Sequence, residues 1–107
     1  MKRCASRPQA KSDRRQELRY YRDLAGPAVA LRLNEAIGKA LQEISRNPAI
    51  GSPRLGQELG VPGLRTWLVS GFPLTLWYVE QADSVDLIRL VGQRQDALKI
   101  NIEDDED

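Results

Sequence analysis

Apolar residues recur along this chain first at helical spacing and then at strand spacing. Leu18, Tyr21 and Leu24 stand three apart, with Arg14, Arg15, Arg19 and Arg22 largely on other faces. That pattern, behind an N-cap at Ser12 or Asp13, predicts a helix over residues 12–24. Gly26 ends it, and Pro27, whose missing N–H is not needed in a first turn, opens a second helix. Over residues 27–46 the apolar face is Leu33, Ile37, Ala40, Leu41 and Ile44, and Asn47-Pro48 stops the helix. So short a connection implies an antiparallel helical hairpin. Seven glycines and prolines then crowd residues 47–63, which read as a loop with one helical turn near 57–59.

The period changes after Gly63. Residues 64–69, 74–80 and 85–91 are rich in β-branched and aromatic side chains and are separated by Ser70-Gly71 and Ala82-Asp83-Ser84. These are three strands of an antiparallel meander. Two helices followed by a meander give an α+β two-layer domain, a helical hairpin on a small antiparallel sheet. Residues 1–10 are irregular by pattern, since Pro8 would interrupt a strand.

Composition narrows the chemistry. The 107 residues suit a single domain over 1–98. Residues 99–107 form an acidic tail whose composition reads as disordered. No apolar run approaches the ~20 residues of a membrane span, and no apolar stretch follows the basic N-terminus as a secretory signal requires. The one cysteine, Cys4, has no partner for an internal disulfide, which fits a reducing cytoplasm. The chain has no histidine, so a His-dependent triad and a His-ligated metal site are excluded, and neither metal nor cofactor is expected.

Net charge +1 hides an asymmetry. Residues 1–24 carry eight cations against three carboxylates, a net +5, while the last five residues, Glu103 to Asp107, are all acidic. A basic body suits an acidic partner: a protein segment, nucleic acid or a nucleic-acid-bound complex. For residues 11–22 the competing reading is a merely solvated helix face.

Asn47-Pro48-Ala49-Ile50-Gly51, then Gly63-Leu64-Arg65, then Ile88-Arg89-Leu90-Val91-Gly92-Gln93-Arg94-Gln95-Asp96 form an ordered signature behind the two helices. Asp13, Leu18, Gly26, Ala30 and Tyr78 fall in register with it. Over residues 10–98 this order resembles the RelE/ParE toxin superfamily, and its ParE branch best. The resemblance implies an edge strand near residues 2–6, which the residue pattern does not itself support. It also implies a toxin of a type II toxin-antitoxin system that inhibits DNA gyrase by binding. A cognate ParD-like antitoxin would neutralise it in a hetero-oligomer. The RelE branch implies the alternative, a ribosome-dependent mRNA endonuclease, and a third reading is a diverged, inactive toxin. Relatives often carry a histidine where Gly92 stands and a cation where Gln95 stands. The missing histidine counts against RNA cleavage more than against binding, and leaves Lys99 and Tyr78 as its acid-base candidates.

The candidates for contact with target or antitoxin are Arg65, Trp67, Arg89, Arg94, Arg15 and Arg19, and the structural candidates are Asp96, Tyr78, Pro48 and Gly51. Arg65, at a strand start beside a loop, is available to phosphate or carboxylate. Alternation sets Arg89 with Leu87 and Val91, among apolar side chains, where it needs a carboxylate such as Asp86 or Asp96. An Arg–carboxylate clamp between strands is therefore at least as good a reading of Arg89 and Asp96 as target contact. Packing is the stronger reading for Trp77, and Trp67 is open between packing and stacking on a partner.

Overall fold

The computed structural model describes residues 1–93 and residue 100. The expected tail, Arg94, Asp96 and Lys99 lie outside the described residues. Strand β1 (Arg3–Ser6) leads into helices α1 (Pro8–Ala25) and α2 (Pro27–Arg46). A 3₁₀ turn (Pro48–Ile50) and a short helix α3 (Arg54–Leu59) follow, then strands β2 (Leu64–Leu68), β3 (Leu74–Glu80) and β4 (Ser84–Gly92). The meander β2-β3-β4 is antiparallel, as its alternation and turns predicted, and β1 joins it at the edge in the order β1-β4-β3-β2. β1 runs parallel to β4, Arg3 opposite Ser84 and Ser6 opposite Leu87, so the four-stranded sheet is mixed.

Helix α1 begins earlier than its apolar spacing indicated. Pro8 occupies the first turn, where proline is favoured, and Ser12 and Asp13 lie in the second turn instead of capping. The reason is tertiary: Asp13 is drawn to β4, as described below. Leu24, expected on the core face, is 66% exposed, whereas Leu18 and Tyr21 pack against the core. Gly26 links α1 to α2 alone, at φ +97° and ψ 168°, a conformation open essentially only to glycine. α2 spans the predicted residues and buries Leu33, Ile37, Ala40 and Ile44.

The sheet buries both faces. The helical hairpin covers one, where Val69, Leu74, Leu76, Tyr78, Val85, Leu87 and Leu90 form one core with Ala10 of α1 and Leu33, Ile37, Ala40 and Ile44 of α2. On the other, Leu64, Trp77, Ile88 and Val91 are covered by Leu55, Leu59 and Val61 from α3 and its exit, and by Ile100. Trp77 opposes Arg89 and Tyr78 opposes Leu87, so Ile88 is an extra residue bulged into β4. Strict alternation fails there: Leu87 and Leu90 point to the helices, and Ile88 and Val91 to the opposite side.

Candidate functional site

Five residues of the signature and its register form one hydrogen-bonded latch. The Tyr78 hydroxyl donates to the Pro48 carbonyl at 2.6 Å and accepts the Gly51 N–H at 2.8 Å. Arg65, opposite Tyr78 on β2, donates to the Gly51 carbonyl at 2.7 Å and to that of Ala49 at 3.3 Å. A Cβ on Gly51 would stand 2.5 Å from the Tyr78 hydroxyl and 2.9 Å from the Thr66 carbonyl, so only glycine fits. Burial raises the Tyr78 phenol above its ordinary pKa, and the Gly51 hydrogen bond and Arg65 charge oppose that rise. The latch fixes the exit of α2 onto the sheet. Its hydroxyl and guanidinium are committed to backbone groups.

Arg89 is likewise held within the fold. β1 covers only the first half of β4, and α1 runs past the half left open. There the Asp13 carboxylate accepts from Arg89 Nε at 2.7 Å, from Arg89 Nη2 at 3.1 Å and from the Leu90 N–H at 3.1 Å. Gln9 adds a fourth donor at 3.1 Å. Asp13 thus takes the place of a β-ladder partner and neutralises a guanidinium only 12% exposed. A carboxylate meeting Arg89 thus comes from helix α1, and Asp86 pairs instead with Arg7 at 2.7 Å, while Asp96 lies outside the described residues. Trp67 packs against the helix-side core, and its indole N–H donates to Glu43 at 3.1 Å.

What remains outward is the seam between α1 and α2. Arg15 and Arg19 are exposed there in line with Lys11, four residues apart in each step. Among the described residues none of the three has an ion-pair partner. Lys11 was not singled out in the sequence, although its place in the 11, 15, 19 series made it legible. Beside this row lie two clefts that share Arg15 and Leu18. The outer, about 480 Å³, lies along Pro27, Ala30 and Leu31, and Leu31 is 62% exposed. The inner, about 390 Å³, is floored by core side chains. Arg14 bridges the seam between them, donating to Asn34 Oδ1 at 2.8 Å, and burial lowers its pKa. An apolar trough walled by unpaired cations can bind an acidic amphipathic partner. Among the described residues no group of His, Cys, Asp or Glu is arranged to hold a metal, and no helix is long and apolar enough to cross a membrane.

Comparison with known proteins agrees with this architecture. A chain of the chromosomal ParDE TA system from P. aeruginosa superposes with a TM-score of 0.73 at 20% identity, covering 86% of this chain and 96% of that one, a likeness of fold. No curated protein matches. The family model described as the ParE toxin of type II toxin-antitoxin system, parDE, matches residues 6–97. With helical hairpin, meander and signature all inside that span, the chain belongs to the ParE toxin family of type II toxin-antitoxin systems.

Proposed function

We propose that this ParE-family chain inhibits DNA gyrase by binding, in the bacterial cytoplasm, and that a cognate ParD-like antitoxin neutralises it in a hetero-oligomer. The antitoxin contributes an acidic, partly helical segment that folds along the outer α1–α2 seam, over Leu31 and beside Arg15 and Arg19. Coupled folding of such a segment gains a large contact area on a protein without a deep pocket. The observation that carries this reading is the division of labour among the cations. Lys11, Arg15 and Arg19 are exposed and have no ion-pair partner among the described residues, whereas Arg65 and Arg89 are bonded into the fold.

RNA cleavage needs an acid-base group besides cations at the phosphate, and the placement of Tyr78 counts against it. Tyr78 is buried with its hydroxyl doubly bonded, and the chain has no histidine. The test is pulse-labelling of DNA and protein synthesis in bacteria just after induction of the chain alone. DNA synthesis fails first, with translation intact, if gyrase is the target. Early loss of translation moves the target to the ribosome and its mRNA, and no effect on either identifies a toxin that has lost its activity.

A further inference from the structure

The inner end of the seam differs in kind from the outer trough. The Arg14–Asn34 bridge crosses between the two, and the inner cleft ends on Ala10, Ile37, Leu76, Leu87 and Leu90, all at most 5% exposed. The mouth carries Ser6, Lys11, Arg14 and Arg15, three cations and a hydroxyl, and among the described residues no carboxylate lines the cleft. The volume, about 390 Å³, falls in the range of small-molecule sites, and the lining follows their usual plan of an apolar body with a few polar groups at one end. Lys11 and Arg15 have no ion-pair partner among the described residues, so an incoming anion displaces no existing pair.

We infer that the inner α1–α2 cleft is a binding site for a small amphiphilic anion, a carboxylate with a short aliphatic tail, its head at Lys11, Arg14 and Arg15 and its tail on Leu76, Leu87 and Leu90. Apolar burial supplies the favourable term and the cations select the charged head. The site does not depend on the antitoxin or gyrase reading, because it is assayed on the isolated full chain. Sodium octanoate is the probe, with 1-octanol and acetate as controls.

Octanoate is expected to raise the melting temperature saturably, as any ligand of the folded state does. Octanol binds more weakly and acetate has no effect. Methyl resonances of Leu18, Leu76, Leu87 and Leu90 shift with octanoate. The K11Q/R15Q variant alters two exposed side chains and so keeps its fold; it weakens octanoate about fivefold, as expected for two exposed charge contacts of about 0.5 kcal/mol each, and leaves octanol unchanged. Equal affinity for octanol and octanoate, an undiminished octanoate affinity in the variant, methyl shifts elsewhere, or no saturable stabilisation would each overturn the assignment.

Discussion

A buried carboxylate with four donors is where single atoms matter most. Asp13→Asn keeps the shape but removes the carboxylate charge held against the Arg89 guanidinium, which is 12% exposed. The expected loss is about 3–5 kcal/mol in urea unfolding, the usual cost of removing one member of a buried pair. D13L/R89M, which removes both charges, is expected to lose clearly less than the two single changes added together. At the latch, Tyr78→Phe strands the buried Gly51 N–H and should cost about 1–3 kcal/mol. Tyr78 also sets an alkaline limit. Burial raises its folded pKa above the unfolded value of about 10, so the unfolded chain releases the proton first. The native state then binds more protons, and its stability, full below that unfolded value, falls as pH rises through the folded one. Cys4, also raised by burial, titrates in the same direction, so the comparison belongs in a Cys4→Ser background. There the urea midpoint should fall faster with Tyr78 present than in the Tyr78→Phe variant as pH rises from roughly 9 to 11, either side of the usual tyrosine value. Little of this residue-level detail was legible beforehand. The need of Arg89 for a carboxylate followed from its apolar surroundings, but Asp13 lies 76 positions away and resembles a helix cap in sequence.

Elements were more legible than contacts, because periodicity reports burial directly. α2 and the meander were readable since Leu33, Ile37, Ala40 and Ile44 repeat at helical spacing and the strands alternate between turn signals. β1 was expected only from the family resemblance, because an edge strand of four residues carries too short a pattern of its own, and its parallel pairing is dictated by the return of the chain through two helices. The start of α1 was misplaced for a related reason: its buried face includes Asp13 and Glu17, which a search for apolar residues passes over. The two hairpin glycines separate backbone from packing effects. Gly38 lies inside α2 with no atom within 4 Å of an added Cβ, and Gly38→Ala should stabilise the chain by about 0.5–1 kcal/mol through helix propensity. Gly26 has equally open space but φ +97°, so Gly26→Ala should destabilise by about 1–3 kcal/mol from backbone strain alone. Urea midpoints of the two variants that moved in the same direction would contradict this account of the hairpin.

For the molecule as a whole, the asymmetry of charge is written in the sequence and becomes a surface only through the fold. The net +5 of residues 1–24 is redistributed by pairing: Lys2 goes to Glu80, Arg7 to Asp86 and Arg22 to Asp23, while the Asp13 charge is taken up by Arg89 from outside the segment. Lys11, Arg15 and Arg19 are left as a line beside the seam, and at 1.5 Å rise per residue that line is about 12 Å long. Exposed charges so arranged act over roughly a Debye length, about 10 Å at 0.1 M salt, so their contribution must fade as salt rises. Neutralising all three as K11Q/R15Q/R19Q should leave the urea midpoint near that of the parent, since no described contact is lost. Affinity for the cognate antitoxin, measured by calorimetry at low salt, should fall about tenfold, the sum of three exposed contacts of about 0.5 kcal/mol each. The gap between variant and parent should then narrow at higher salt, because screening has already removed from the parent what substitution removed from the variant. A loss of affinity that did not narrow with salt would assign these side chains to packing by their alkyl stems, and an unchanged affinity would move the antitoxin off this seam.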